Sequence, residues 1–165
     1  MIDPHMIDLV RQEHLLLETA IGGAAYELQD DGKDVCRVVT DKFTVSFVWM
    51  GRERWIDADI KIYDVADHPL DPHAEYSARQ WLEARALPTL PRRSGGMSSL
   101  LLRDELAEVG EVVAHIFSSK SALWEALFYR SGLNSGYTDR VLVPEQAPPA
   151  SIQRWAETRF QRLPR

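Results

Sequence analysis

The segment from Lys42 to Tyr63 constrains the fold more than any other part of the chain, because apolar residues alternate along it in two runs. Successive residues of a β-strand point to opposite faces of a sheet, so each run gives one strand a single apolar side. The alternating apolar residues are Phe43, Val45, Phe47 and Trp49 in the first run and Ile56, Ala58, Ile60 and Ile62 in the second. We therefore predict a β-hairpin whose connecting loop is 51–54.

A third strand is expected before the hairpin, because residues 35–40 are rich in β-branched side chains. A two-residue turn at 41–42 would pair Thr40 with Phe43. The registers that follow set apolar residues opposite one another: Val38 and Val45, Cys36 and Phe47, Trp49 and Ile56, Phe47 and Ala58, Val45 and Ile60. A slip of one residue would turn these side chains to the other face, so we predict a meander in this register with Cys36 in its core.

Helical periodicity precedes the strands. From Ile7 to Ile21 the apolar residues and His14 recur at helical spacing, so that they would lie close to one side of a helix. This pattern predicts an N-terminal helix. Residues 24–28 are able to prolong this helix beyond Gly22 and Gly23, and the polar residues 29–34 form a loop.

Helices also follow the strands. Asp71 is the predicted N-cap and Pro72 the first residue of a helix that runs to about Leu87, where prolines begin a loop over 87–97. Ser98 or Ser99 is expected to cap the next helix. The buried stripe of that helix is predicted to be Leu102, Leu106, Val109, Val113 and Ile116.

A further helix is predicted from Ser121 to Gly132. Its apolar residues are Leu123, Trp124, Leu127 and Phe128. Trp81, Trp124 and Trp155 all lie on predicted helices, so we expect them in the core rather than around a cofactor.

The fold class that these elements predict is α+β. An antiparallel meander of three strands or more carries an N-terminal helix and several C-terminal helices on one face. Residues 1–5 have the character of a leader foreign to the native chain, and residues 6–143 form one globular domain. Residues 144–150 form a proline-rich linker, and 151–165 a short basic helix that packs on or beside the domain.

The net charge of −6 is unevenly distributed. Residues 151–165 hold four arginines against Glu157 alone, a net +3, which leaves −9 on the other 150 residues. An acidic body repels nucleic-acid phosphates and attracts basic proteins, so we expect a protein partner with a basic surface and no nucleic-acid partner.

Membrane and redox signals are weak. No apolar run approaches the roughly 20 residues that a membrane span requires, so no membrane partner is expected. Cys36 is the single cysteine, which excludes an internal disulfide and favours a reducing compartment. We expect a cytoplasmic bacterial protein.

The loop from Asp67 to His73 has the composition closest to a catalytic motif. His68 and His73, together with its two aspartates, are residue types that bind divalent metals or transfer protons. Its two prolines and the capping role of Asp71 favour a structural loop instead. A metal-dependent hydrolase centred on this loop remains an alternative, and no metal or cofactor is otherwise expected.

The outward face of the hairpin is the preferred binding site. Asp57 and Asp59 project from the same side of one strand, roughly 7 Å apart, but no histidine or further acid is linked to them in sequence. Tryptophan and arginine are common anchors of protein interfaces. The predicted partner-binding residues are Met50, Arg52, Arg54, Trp55, Asp57 and Asp59, and no catalytic residue is assigned.

The remaining polar candidates are two histidines and a pair of arginines. His115 is expected to be a partly buried helix residue, and His14 likewise. Arg92 and Arg93 precede a glycine pair that lacks the lysine and hydroxyl of a phosphate-binding loop, so they are expected at most to meet a phosphate or an acidic partner.

In size, acidity and α+β layout the chain resembles the small bacterial immunity proteins that neutralise toxins of interbacterial competition. The resemblance implies a non-enzymatic inhibitor that occludes a toxin's active site. Asp57 and Asp59 would engage basic residues of the toxin, and Trp55 would fill a pocket. The alternative from another class is a secretion-type chaperone that binds an effector segment, and the oligomeric state stays open.

Overall fold

Five antiparallel strands form one sheet in which strands adjacent in sequence are adjacent in space. The computed structural model describes residues 4–63, 75–85, 87–119 and 122–123. The strands are β1 (Glu27–Asp30), β2 (Val35–Val39), β3 (Phe43–Met50), β4 (Trp55–Ile62) and β5 (Glu75–Ser77). The helices are α1 (Met6–Gln12), α2 (His14–Ala20), α3 (Ala78–Ala84) and α4 (Ser99–His115). The predicted α+β meander is confirmed.

The predicted registers of the three central strands are confirmed. The pairs are Cys36 with Phe47, Val38 with Val45, Val45 with Ile60, Phe47 with Ala58, and Trp49 with Ile56. The tight turn between β2 and β3 is fixed by buried Thr40, whose Oγ1 accepts from the amide of Phe43 and donates to its carbonyl at 3.0 and 2.8 Å.

The described helices pack on the face of the sheet that carries Cys36 and Phe47, and together they enclose one apolar core. Trp81 of α3 is fully buried there, as predicted, and its Nε1 donates to the carbonyl of Ile60 at 3.1 Å. Burial raises the pKa of the Cys36 thiol to about 11. Cys36 is therefore a buried core residue rather than a reactive thiol, because its thiolate is scarce at neutral pH.

The N-terminal region departs from prediction in two ways. The helix is interrupted at Glu13, which separates α1 from α2. The prolongation over 24–28 is wrong, because Gly22 and Gly23 take φ values of +71° and +73° that end the helix. The chain then enters β1, an edge strand in which Leu28 is half-buried and the other residues are exposed.

The predicted helix from Asp71 to Leu87 is also wrong in its boundaries. Residues 75–77 form β5, which pairs with the second half of β4, and α3 begins only at Ala78. Its N-cap is Ser77, whose hydroxyl accepts from the Gln80 amide while the Gln80 side chain accepts from the Ser77 amide. This reciprocal capping box fixes the helix start.

Helix α4 carries the predicted stripe. Val113 is half-buried and the other four predicted residues are buried. Ser98 occupies the N-cap position without a side-chain hydrogen bond. The expectation for His115 is wrong: its side chain is 56% exposed and lies 3.1 Å from Glu111, one turn earlier on the outer side of the helix. His14 is exposed as well.

Several predicted elements lie outside the described residues. These are the Asp67–His73 loop with His68 and His73, most of the helix from Ser121 to Gly132 with Trp124, the linker 144–150, and the basic helix 151–165 with Trp155. Within the described ranges, no helix has the length and apolarity to cross a membrane.

Candidate functional site

The outer face of the sheet is built in cross-strand rows. Asp59 lies between Ser46 of β3 and Ser77 of β5, while Asp57 lies opposite Val48. Lys61, two residues after Asp59 on β4, lies opposite Glu75 of β5. The predicted alternation therefore places both aspartates on the outer face, where each is half-buried by its neighbours.

Asp59 is an acid without a compensating cation among the described residues. Burial, followed by the nearby charges of Asp57 and Glu75, raises the pKa of its carboxyl above the ordinary value. None of the ion pairs formed between described residues includes Asp59. The centre of this face thus carries negative charge that a basic group would stabilise.

Asp57, two residues earlier, is neutralised within the chain. Its Oδ1 lies 3.0 Å from a guanidinium nitrogen of Arg92. The same nitrogen donates to the carbonyl of Ile56 at 3.3 Å and to the carboxyl of Glu105 at 3.2 Å. The guanidinium carbon also stacks 4.7 Å from the ring centre of Trp55, a cation–π arrangement.

Arg92 reaches these groups because β5 pairs only with residues 59–61 of β4. Beside the earlier half of β4 runs the segment 87–97, which we call the clasp segment. The amide of Gly95 donates to the carbonyl of Arg54 at 2.9 Å, and Arg54 Nε donates back to the Gly95 carbonyl at 3.3 Å. Arg54, at the end of the hairpin loop, adopts a φ of 61°. This is the left-handed backbone region, which residues other than glycine adopt uncommonly.

A second arginine holds the clasp segment from the helical side. Arg79 of α3 donates to the hydroxyl of Thr89 at 3.1 Å and to the carbonyl of Leu90. It also lies 3.6 Å from the carboxyl of Glu108 on α4. We call the group formed around these contacts the Arg92 cluster, and its members are Trp55, Asp57, Arg79, Arg92, Glu105 and Glu108.

The acids of α4 in this cluster are buried among apolar neighbours. Glu105 is 6% exposed and Glu108 3% exposed. Burial raises the pKa of Glu105 to about 8, outweighing the opposite influence of Arg92, and burial likewise raises the pKa of Glu108. Among the described residues, four buried polar atoms at this place form no hydrogen bond: Glu108 Oε2, Arg79 Nε, Trp55 Nε1 and Asp104 Oδ2, the last of which is ion-paired with Arg93 at 3.1 Å.

The free space between these side chains is small. It measures about 10 Å³, roughly what one water molecule occupies. A small-molecule substrate does not fit in this closed arrangement. Among the described residues, no group of three or more histidine, cysteine or acidic side chains is placed to hold a metal ion.

The predicted partner-binding residues thus divide into two groups. Trp55, Asp57 and Arg54 are engaged by the chain's own clasp segment, whereas Asp59 faces outward unpaired among the described residues. Arg52 is exposed and Met50 is half-buried opposite Trp55.

Sequence reasoning missed Arg79, Glu105 and Glu108. The signal for the two glutamates was present, because both lie within the buried stripe of α4, next to Leu106 and Val109. An acid inside an apolar stripe predicts a buried cation partner. Arg92 and Arg93 meet acids of their own chain: Arg92 as described, and Arg93 with Asp104 at 3.1 Å.

No known family model, curated protein or solved structure matches this chain.

Proposed function

We propose that this chain is a non-enzymatic protein-binding domain of the immunity type, which covers the active site of a basic protein toxin with the outer face of its sheet. The observation that carries the proposal is Asp59, a half-buried carboxylate flanked by Asp57 and Glu75 and without a cation among the described residues. A lysine or arginine of a partner would supply the missing charge.

The surroundings of Asp59 suit a binding surface. Strands β3 and β4 pair over eight residues, so the surface is held by a rigid backbone. The half-buried side chains of Met50 and Trp55 add apolar area at one end of the same face. A negatively charged patch with an apolar flank attracts a basic partner over distance and then excludes water around the contact.

The net charge supports the same proposal. The chain carries −6 overall, which accelerates association with a cationic protein. An inhibitor of this kind would act in the bacterial cytoplasm, where a lone buried cysteine such as Cys36 remains reduced.

The test is binding to a toxin domain encoded beside the gene for this chain, measured by isothermal titration calorimetry. Asp59→Lys is expected to weaken binding about 100-fold, because like charges opposed across an interface cost several kcal/mol. The control is Glu111→Lys, an equal charge change at an exposed position of α4, on the helical side of the sheet. Equal affinity of Asp59→Lys, Trp55→Ala and the wild type would exclude the outer face as the interface.

A secretion-type chaperone is the second candidate, and exposed leucines favour it. Leu15 and Leu16 of α2 are 68% and 44% exposed, and Leu100 at the start of α4 is 53% exposed. Apolar side chains of this kind would receive an effector segment. Such chaperones normally dimerise. A monomer by light scattering, together with unchanged binding of an effector segment by Leu15→Ser, would reject this candidate.

A further inference from the structure

The Arg92 cluster contains more acid than base. Asp57, Glu105 and Glu108 face the guanidinium groups of Arg79 and Arg92. The adjacent pair of Arg93 and Asp104 contributes one charge of each sign and leaves the imbalance unchanged. With every acid ionised, the cluster would hold a net negative charge away from water, which is costly in a low-dielectric site.

Arg92 alone cannot neutralise this excess of negative charge. Its guanidinium already neutralises Asp57 at 3.0 Å, and it lies 3.2 Å from Glu105 through the same nitrogen. Glu108 has its Oε1 3.6 Å from Arg79, while its Oε2 has no hydrogen-bond partner in the part of the chain that the structure describes. One proton retained on a glutamate therefore balances the charges, and burial holds that proton on Glu105, whose pKa is raised to about 8.

The segment that covers these acids is attached largely by the same arginines. Arg79 holds its start at Thr89 and Leu90, and Arg92 holds its middle. The described residues of the clasp segment form no helix or strand, so its displacement would break few backbone hydrogen bonds. Its displacement would also bring water to Glu105 and Glu108.

We propose that residues 87–97 act as a proton-controlled clasp, closed on the Arg92 cluster while the cluster holds one proton and open once that proton is lost. The proposal is independent of the proposed function. Opening would uncover Trp55 and the edge of the first half of β4, with which no described strand other than β3 pairs. The charged groups that face the two glutamates, and therefore set the transition, are Asp57 from β4, Arg79 and Glu83 from α3, Asp104 from α4, and Arg92 and Arg93 from the clasp segment.

The direction of the pH dependence follows from linkage. In the closed state Glu105 binds its proton more tightly than in a hydrated, open state, so closure is favoured at low pH and weakened as pH rises towards 8. For one proton, the opening equilibrium constant rises about tenfold per pH unit well below the closed-state pKa and less steeply near it, hence about 50-fold between pH 6 and pH 8. Above pH 8 the rise levels off, because both states are then ionised.

Hydrogen exchange measured by mass spectrometry tests the clasp in the full chain. Amides of 87–97, including the Gly95 amide that donates to the Arg54 carbonyl, are expected to lose protection about 50-fold between pH 6 and pH 8, after correction for the intrinsic exchange rate. Glu105→Gln, which imitates the protonated acid, is expected to keep the same protection at both pH values. Glu111→Gln, at an exposed position of the same helix, is the matched control and should behave as the wild type.

Two results would overturn the proposal: unchanged protection of 87–97 in the wild type, or an equal loss in Glu105→Gln and the wild type. If Glu105→Gln does not fold, the wild type decides by carbon NMR of its glutamate carboxyl groups. The clasp is supported by a glutamate that titrates near pH 8, over the same pH range in which the amides of 87–97 lose their protection from exchange. Absence of such a glutamate rejects it.

Discussion

The two halves of β4 are held in different ways. In the second half, β5 pairs with residues 59–61 and buried Trp81 donates to the carbonyl of Ile60. In the first half no described strand pairs beyond β3, and Arg92 donates to the carbonyl of Ile56 instead. Both halves bury apolar residues and pair with β3, but the outer edge of one half is covered by a strand and that of the other by an ionic cluster.

This difference decides the state of two neighbouring aspartates. Asp57 lies in the ionic half and is neutralised by Arg92 at 3.0 Å. Asp59 lies in the strand-paired half, between Ser46 and Ser77, and has no cation among the described residues. The same residue type on the same face is thus paired inside the chain at position 57 and, among the described residues, unpaired at position 59.

The largest expected effect comes from the apolar anchor. Trp81→Ala removes a fully buried ring and is expected to lower the free energy of unfolding by about 3–5 kcal/mol, measured by urea denaturation. Trp81→Phe keeps much of the ring volume and loses only the donor to Ile60, so its loss should be about 1–2 kcal/mol. If Trp81→Ala lowers the free energy of unfolding by less than an Arg92 variant does, the half of β4 held by the ionic cluster is the more strongly stabilised one, and our expectation is wrong.

The ionic anchor should come second. Arg92→Ala leaves Asp57 without its cation and Glu105 without a hydrogen-bond donor, and we expect a loss of about 2–3 kcal/mol at pH 7. This is below the 3–5 kcal/mol of a fully buried pair because the Arg92 side chain is 24% exposed. Arg37→Ala is the control, since it breaks a 2.7 Å pair with Asp31 in which the two side chains are 51% and 37% exposed, and it should cost below about 1 kcal/mol. Equal losses from the two variants would mean that the Arg92 cluster contributes no more than a surface pair.

The smallest effects should have opposite signs at the two aspartates. The pKa of Asp59 is raised in the folded chain, so its contribution to stability is largest at low pH and is lost as pH rises through that pKa. Asp59→Asn is therefore expected to gain a few tenths of a kcal/mol at pH 7 and nothing at pH 3, by urea denaturation.

Asp57→Asn weakens the pair with Arg92 and should instead cost about 1 kcal/mol at pH 7. Glu53→Gln, in the exposed hairpin loop, serves as a neutral reference. If both aspartate variants shift stability in the same direction, the two halves of β4 are electrostatically alike and the distinction fails.

The central strands were predictable because their alternation leaves one acceptable register. A shift of one residue would have exposed Val45 and Phe47, so the pattern excluded its own alternatives. The edge strands lacked this constraint. β1 has four residues with one half-buried apolar side chain, and β5 has three residues, too short for alternation to separate strand from helix.

The sequence carries two competing signals for the start of α3. Ser77 and Gln80 have the spacing of a capping box, which is where the helix begins. Asp71 and Pro72 have the character of an N-cap and a first helical residue, and they predict an earlier start. The Arg92 cluster was not predictable as a unit. Its members come from β4, α3, α4 and an irregular segment, so only the folded chain brings them together.

The composition of β1 has a consequence for self-association. An open edge strand is a template on which a second chain can add and start a fibre. A second copy pairing antiparallel with β1 over its full length would set Glu27 of one copy against Asp30 of the other at both ends. Like charges directly opposed across strands are destabilising, so the four-residue edge resists its own polymerisation.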